Sequence, residues 1–412
     1  MAGDGIAGVR ETADLVARRS YGKLVALLSA RTRDVAAAED ALAEAFAAAL
    51  AEWRESGCPV NPEGWLLTVA RRKAVDAHRR TATADAAAGH LKLLAEEAET
   101  MQDDAIPDRR LALLFAVAHP AIDPSARSPL MLQVVLGLDA PRIASAFLTS
   151  PSAMEKRLVR AKTRIRDAGI AFEVPAPDEL SGRLGAVLDA IYAAYGRGWS
   201  DASAADGRGR DLGGEALFLA DLVAATLPGE AEALGLLALM LHTAARQEAR
   251  RDDQGRYVPL SQQDAHRWDT AMVVRAEAVL ADAARLGRIG RYQLEAAIQS
   301  AHVARLRFGS DTRADILRLY DALAAVAPSP VAAVNRALAV ADVDGAEAGL
   351  AALPDPAADP RLVAYQPYWA AKAELSARNG DTAAADEAYG LAIGLETDPA
   401  VRRFLIARRA GL

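Results

Sequence analysis

Almost one residue in four of this 412-residue chain is alanine, 97 in all. Alanine is the strongest helix former and a poor strand former, so the composition favours an all-α fold. The length corresponds to two or three domains. A single cysteine, Cys58, excludes a disulfide framework and a cysteine-based zinc site. No apolar run reaches the ~18 residues of a membrane span, and the first residues lack a signal-peptide layout, so we expect a soluble, cytoplasmic protein without a membrane partner.

The net charge of −7 is unevenly distributed along the chain. Residues 1–175 carry 23 basic and 23 acidic side chains, whereas residues 176–412 carry 25 and 32. The basic residues of the first part occur in two dense groups, at 71–80 and at 156–166. Such clustering is the electrostatic footprint of a phosphate-binding surface, which the overall charge conceals.

Turn and linker signals divide the chain into four parts. Helical patterns fill residues 1–80, and the Ala-, Thr- and acid-rich stretch 81–108 resembles a linker. Further helical patterns occupy 109–175, and successive amphipathic helices follow over 176–412. We therefore predict two small helical domains, a linker between them and a larger helical extension.

Residues 127–167 have the pattern of a helix-turn-helix. A helix ends at Gly137, a short helix follows, and Thr149-Ser150-Pro151 turns the chain into a basic helix. Ser152 and Glu155 are spaced as a capping box for that helix, whose basic side chains we expect on its exposed side. The second helix of this motif fits the DNA major groove. The alternative is an ordinary hairpin with a solvated basic face.

Two helical patterns in the first part carry opposite charges. The segment 35–53 is predicted to be a helix with acidic residues on one face, suited to a basic protein partner or simply to solvent. The segment 62–80 is predicted to begin at Pro62 and to expose arginines that could bind phosphates. Trp65 within it could stack on an unpaired base or could be buried.

The extension has features of a helical repeat. Residues 365–399 approach the spacing of a tetratricopeptide hairpin, with an echo over 331–345, although alanine-rich helices also produce such spacings by chance. Polar residues interrupt its apolar stretches and form either a ligand or partner pocket or a set of satisfied buried networks. They are His242, Arg246, Gln263, Asp264, Arg267, Trp268, Tyr292, Gln293, His302, Asn335 and Arg336.

No enzymatic constellation stands out. The sequence has no HExxH, GxSxG or GxxxxGK[ST] motif, and its six histidines are scattered. We therefore predict a protein that is not an enzyme and has no catalytic residues, cofactor or metal.

In order, the segments EDALAEAF, GCPVNPEGWLLTVARRKAVDAHRR and RLVRAKTRIRD resemble a bacterial RNA polymerase sigma factor of the extracytoplasmic-function (ECF) group. The later runs ALGLLALMLHTAARQEAR, YVPLSQQDAHRWD and APSPVAAVNRALAV are similar to the tetratricopeptide-like extension of one subfamily of that group. The resemblance implies sigma domain 2 at 1–80, sigma domain 4 at 109–175 and a regulatory extension at 176–412.

The resemblance also assigns roles to individual residues. Core polymerase binding falls to Asp34, Glu39, Asp40, Glu44, Phe46 and Trp53. Recognition and melting of the −10 promoter element fall to Trp65, Arg71, Arg72, Lys73, Asp76, Arg79 and Arg80. Recognition of the −35 element falls to Ser152, Ala153, Lys156, Arg157, Arg160 and Lys162.

The leading hypothesis is thus a promoter-specificity subunit, whose partners are core RNA polymerase, promoter DNA and a regulatory protein or ligand at the extension. The alternative is a polymerase-independent helix-turn-helix regulator whose extension senses a peptide or protein. A pure scaffold would leave both basic groups unexplained. The acidic helix at 35–53 favours the first hypothesis, since a simple regulator has no use for it.

Overall fold

The computed structural model describes residues 13, 16, 20–81, 109–147, 149–201 and 208–412. Within them every regular element is helical, which confirms the predicted all-α fold; an isolated bridge joins Arg251 and Tyr257. Almost all of the predicted linker at 81–108 lies outside the described residues. None of the helices in the described ranges is long and apolar enough to cross a membrane.

The chain divides into two compact units, Met1–Leu219 and Ala220–Leu412. The helices that begin in the first unit are α1 (20–32), α2 (Val35–Ser56), α3 (Pro62–Thr81), α4 (Arg110–Val117), α5 (Pro124–Val134), α6 (Ala140–Ala146), α7 (Pro151–Asp167), α8 (Pro177–Asp201) and α9 (Arg208–Thr226).

The boundaries of α2 and α3 follow from local sequence. The Asp34 carboxylate accepts a hydrogen bond from the Ala37 amide at 3.1 Å, which caps α2, and Gly57 ends the helix with a φ of 82°. Pro62 occupies the first position of α3, as predicted, because a first-turn residue needs no amide donor. The two helices pack against each other through a buried face of small and apolar side chains.

Helices α5, α6 and α7 form the predicted arrangement of helix, turn and basic helix. Gly137, with a φ of 66°, ends the first of these segments as expected. The predicted capping box is wrong: the cap of α7 is Ser150, whose hydroxyl accepts a hydrogen bond from the Ala153 amide at 3.3 Å. Pro151 then occupies the first helical position, so Ser152 is already inside the helix.

The first unit continues beyond the boundary proposed at residue 175. Helix α8 packs against α4 and α5 and buries Leu184, Val187 and Ile191. The Arg110 guanidinium of α4 is 2.8 Å from the Glu215 carboxylate of α9. Helices α8 and the first part of α9 therefore complete the core of this unit.

The second unit consists of helices joined by short turns and by a segment that contains three short 3₁₀ turns, at Glu248–Arg250, Leu260–Gln262 and Ala265–Arg267. Its helices are α10 (Ala231–Ala245), α11 (Thr270–Arg285), α12 (Arg291–Phe308), α13 (Arg313–Val326), α14 (Pro330–Asp344), α15 (Ala346–Ala352), α16 (Gln366–Arg378), α17 (Thr382–Leu395) and α18 (Pro399–Ala410).

Small residues let the helices of the second unit approach closely. Helices α14 and α15 form a hairpin in which a Cβ added at Gly349 would lie 2.5 Å from the Ala341 Cβ. Helices α16 and α17 form another, around a core of Ala373, Tyr389 and Ala392. Both hairpins lie where the sequence showed repeat-like spacing.

Candidate nucleic-acid interface

Helix α7 presents a basic surface on one side and a buried apolar stripe on the other. Met154, Leu158 and Ile165 are buried, as predicted. The exposed side chains near the start of the helix are Ser152, Ala153, Lys156 and Arg160. Val159 lies among them and is 61% exposed, although the pattern of basic residues gave no indication of an apolar side chain on this surface.

Other basic residues of α7 attach the helix to its own domain. The Arg157 guanidinium is half-buried and donates to the Ser125 carbonyl at 3.4 Å. The Arg164 guanidinium donates to the Ala121 carbonyl at 3.5 Å. These contacts hold α7 against the segment that precedes and begins α5.

Lys162 is turned away from the exposed basic surface, so its expected position on the exposed side is wrong. Its Nζ donates to the Glu39 Oε2 of α2 at 2.6 Å, and the two side chains are only 15% and 12% exposed. The cause is tertiary: Lys162 lies on the part of α7 that contacts α2. Two residues assigned to different partners, polymerase and DNA, are thus paired with each other.

Tyr21 of α1 completes this contact. Its hydroxyl donates to the Glu39 Oε1 at 3.2 Å, so each oxygen of the carboxylate accepts one hydrogen bond. Burial, together with the nearby Glu39 charge, raises the pKa of Tyr21 well above its usual range. The tyrosine is therefore a donor at neutral pH; the sequence offered no signal for it, because the contact joins separate helices.

The acidic side chains of α2 occupy different environments. Asp40 and Glu44 are exposed, with Lys73 3.3 Å from Glu44. Asp34 caps the helix and lies 3.8 Å from the Arg166 guanidinium. Phe46, which was also assigned to polymerase binding, is half-buried.

Trp53 belongs to the core rather than to a surface. It is 1% exposed, and its ring meets Trp65 of α3 edge-on with centroids 5.4 Å apart. Trp65 itself is half-buried. The burial of Trp53 agrees with the apolar repeat of α2, so the polymerase-binding role that the resemblance assigns to this residue does not correspond to an exposed side chain: its ring packs between α2 and α3.

The basic surface of α3 is described in part. Arg72 and Asp76 are exposed, and Arg71 and Lys73 are half-buried. The side chains of Arg79 and Arg80, which were also predicted to bind the −10 element, lie outside the described part of the chain.

In the second unit, several of the polar residues noted in the sequence have structural partners. The Glu232 carboxylate accepts hydrogen bonds from the Tyr292 and Gln293 amides at 2.9 and 3.1 Å. The Arg336 guanidinium donates to the Asp321 carboxylate at 2.6 Å. The side-chain amide of Gln263 donates to the Val258 carbonyl at 3.2 Å. Other atoms of the same set are buried without a hydrogen-bond partner among the described residues: both imidazole nitrogens of His242, the Gln263 Oε1, the Trp268 Nε1 and the His302 Nδ1. The expected satisfied networks are therefore present for only part of the set.

An open cavity of about 450 Å³ lies at the ends of α12, α14 and α16. Arg305 and Arg378 both pair with Asp342, at 3.5 and 3.2 Å. Arg313 pairs with Asp311 at 2.8 Å and lowers the pKa of that carboxyl to about 2. Each of the cavity's three arginines is thus paired with one of its two carboxylates, and a net charge of one positive remains among these five side chains.

Comparison with known proteins supports the identification of the N-terminal part. Residues 16–83 match the family Sigma-70 region 2, and residues 183–284 match a family of unknown function, DUF6596. The chain is 36% identical over 373 residues to uncharacterized protein R00370 of Rhizobium meliloti, a match that spans 89% of this chain and 88% of that protein.

A second relative carries a functional name. The chain is 30% identical over 164 residues to the probable RNA polymerase sigma factor RfaY of Xanthomonas campestris pv. campestris. That match covers 36% of this chain and 40% of the relative. No solved structure matches the chain.

The extent of the first match and the family match at the N-terminus lead to one conclusion. The chain belongs to the same family as the Rhizobium protein R00370, and its sigma-70 region 2 makes it a sigma-factor-like protein.

Proposed function

We propose that the protein is a sigma factor of the extracytoplasmic-function group, which directs RNA polymerase to promoters, and that its C-terminal extension is regulatory. The observation that carries this proposal is the pairing of a sigma-70 region 2 at 16–83 with a helix-turn-helix in the same compact unit. Two separate binding modules on one chain suit a protein that must contact two promoter elements. The similarity to a named sigma factor supports the proposal.

The proposed polymerase-binding surface is the exposed acidic side of α2. Asp40 and Glu44 are exposed one turn apart and would attract a basic partner, which at Glu44 would replace the Lys73 ammonium that lies 3.3 Å away. Phe46 adds a partly exposed aromatic edge. Trp53 packs between α2 and α3 and so fixes the position of the helix that carries this surface.

The proposed −10 interface lies on α3. Arg71, Arg72 and Lys73 would bind the phosphates of the separated strand, and the half-buried Trp65 keeps one edge available near them. Melting a base step costs of order a few kcal/mol, which binding energy at such a surface must offset. No covalent chemistry is required of the protein.

The proposed −35 interface is the exposed start of α7. Ser152, Ala153, Lys156 and Arg160 face solvent together, and the N-terminal residues of a recognition helix are those that reach base edges. Val159 would add an apolar contact of the kind that distinguishes a thymine methyl group. Arg157 would contribute charge while it anchors the helix.

The extension is proposed to be a tetratricopeptide-like domain that controls the sigma part. The support for this proposal is the pair of close helical hairpins, α14–α15 and α16–α17, stacked along the chain. Hairpins of this kind build extended surfaces for a protein or peptide.

A direct test is binding of the full chain to purified core polymerase, measured by biolayer interferometry. Asp40→Lys reverses an exposed charge at the proposed docking surface, so we expect an affinity loss of about tenfold or more, which corresponds to ~1.4 kcal/mol. The matched control, Glu173→Lys, makes the same charge change at an exposed residue outside α2 and should bind as the wild type does. Equal affinities for all three proteins would refute the assignment.

A further inference from the structure

Helices α2 and α7 are held together by a partly buried ion pair between Glu39 and Lys162. The nitrogen and oxygen lie 2.6 Å apart, and Tyr21 donates to the second oxygen of the same carboxylate. A longer pair between Asp34 and Arg166, at 3.8 Å, lies along the same two helices. Because both side chains of the central pair are largely shielded from water, it is screened less by salt than an exposed pair is.

Close packing between α1 and the helix-turn-helix reinforces the ion pair. A Cβ added at Gly22 would collide with the backbone of Val135, so the two segments touch without an intervening side chain. The Tyr21 ring lies against the Gly137 turn, where an added Cβ would be 3.1 Å from it. The sigma-70 region 2 and the helix-turn-helix are thus joined in one compact arrangement.

We propose that the Glu39–Lys162 pair is an internal latch, so that the helix-turn-helix occupies part of the surface that core polymerase must bind. This inference rests on the proposed function, which assigns α2 to polymerase. In the latched arrangement Glu39 faces Lys162 rather than a partner protein, and Lys162 is withdrawn from the DNA-facing side of α7. Polymerase binding then separates α7 from α2, which frees Glu39 for the polymerase and Lys162 for DNA.

The latch predicts that loss of the Lys162 charge raises the affinity for core polymerase, whereas a residue that only contacts DNA would leave that affinity unchanged. Lys162→Gln removes the positive partner, so core polymerase no longer competes with α7. We expect its affinity for the full chain to rise about fivefold, equivalent to ~1 kcal/mol. The matched control is Arg142→Gln, which removes the same charge from an exposed residue of α6 whose guanidinium lies 3.9 Å from the Asp139 carboxylate. An affinity for Lys162→Gln that is unchanged or lower, or an equal rise for Arg142→Gln, would overturn the latch.

Lysine acetylation followed by mass spectrometry tests the latch without polymerase. In the free full chain, Lys162 should react more slowly than the exposed Lys156, and Glu39→Gln should raise the Lys162 rate by about fivefold. Equal rates at Lys162 and Lys156 in the wild type, or no change in Glu39→Gln, would contradict the latch. If acetylation shows the protection but the wild type does not bind core polymerase, the proposed function fails while the internal contact stands. Far-UV circular dichroism confirms that each variant is folded.

Discussion

Among single residues, His242 is a deeply buried ionisable group of the second unit. It lies in α10 at 2% exposure, and burial lowers its pKa to about 4. His302 of α12 is similarly affected, since burial and the charge of Arg246 lower its pKa to about 4. Both imidazoles are therefore neutral at pH 7 in the folded protein.

These histidines predict a loss of stability in mild acid. An unfolded histidine has a pKa of about 6.5, so between pH 6.5 and 4 the unfolded chain binds more protons than the folded one. The free energy of unfolding should consequently fall as the pH falls through this window. Replacement of His242 by leucine should remove about 2 kcal/mol of the loss between pH 7 and pH 5.

Hydrogen exchange of the α10 amides at pH 7 and pH 5, corrected for intrinsic rates, measures this difference. Wild-type α10 should lose more protection between the two pH values than the His242→Leu variant does. Identical losses in the two proteins would show that His242 does not set the acid sensitivity.

Among the elements, the basic helix α7 depends on its cap. Ser150 satisfies the Ala153 amide, whereas Ser152 is an exposed residue within the first turn. Ser150→Ala should therefore lower the free energy of unfolding by about 1 kcal/mol, and Ser152→Ala by no more than a few tenths. Urea denaturation of both variants decides the matter; a larger loss for Ser152→Ala would restore the capping box that the sequence suggested.

Sequence patterns predicted where helices begin and end better than they predicted which side chains contact each other across helices. The start of α3 at Pro62 and the stop at Gly137 were correct because proline and glycine act through their own backbone geometry. The cap of α7 was misplaced by two residues, since Ser150 and Ser152 both precede a helical pattern and only the backbone distinguishes them. Lys162 was placed on the wrong side because its position depends on α2, more than a hundred residues earlier.

Candidate site residues follow the same rule. The exposed positions of Lys156 and Arg160 could be read from helical periodicity, since the buried residues of α7 repeat at three and four. The burial of Trp53 could be read in the same way, since it continues the three- and four-residue repeat of Ala38, Leu42, Ala45 and Ala49. Its assignment to polymerase binding came only from the resemblance.

At the scale of the whole molecule, the compact first unit extends to Leu219, beyond the end that the resemblance implies for sigma domain 4 at residue 175. Helix α8 covers α4 and α5 with buried Leu184, Val187 and Ile191. Each such side chain contributes about 1.5–3 kcal/mol when fully buried, and together they are comparable to the total stability of a domain. The segment after residue 175 is therefore part of the fold of the helix-turn-helix.

This arrangement predicts how truncations behave. A chain that ends at residue 175 should unfold at a lower temperature and bind a hydrophobic dye, because its α4 and α5 lose their cover. A chain that ends at residue 226 retains α8 and α9 and should melt in a single cooperative transition. Differential scanning fluorimetry compares the two; equal melting temperatures would show that α8 is dispensable.

The central claim, that the protein is a promoter-specificity subunit, is tested most directly by transcription in vitro. Purified core polymerase is supplied with fragments of the source genome, and the 5′ ends of the products are mapped with and without the full chain. The account predicts new transcripts with defined start sites that require the protein and are strongly reduced by Asp40→Lys. If the wild type neither binds core polymerase nor produces any promoter-specific transcript, the account is contradicted.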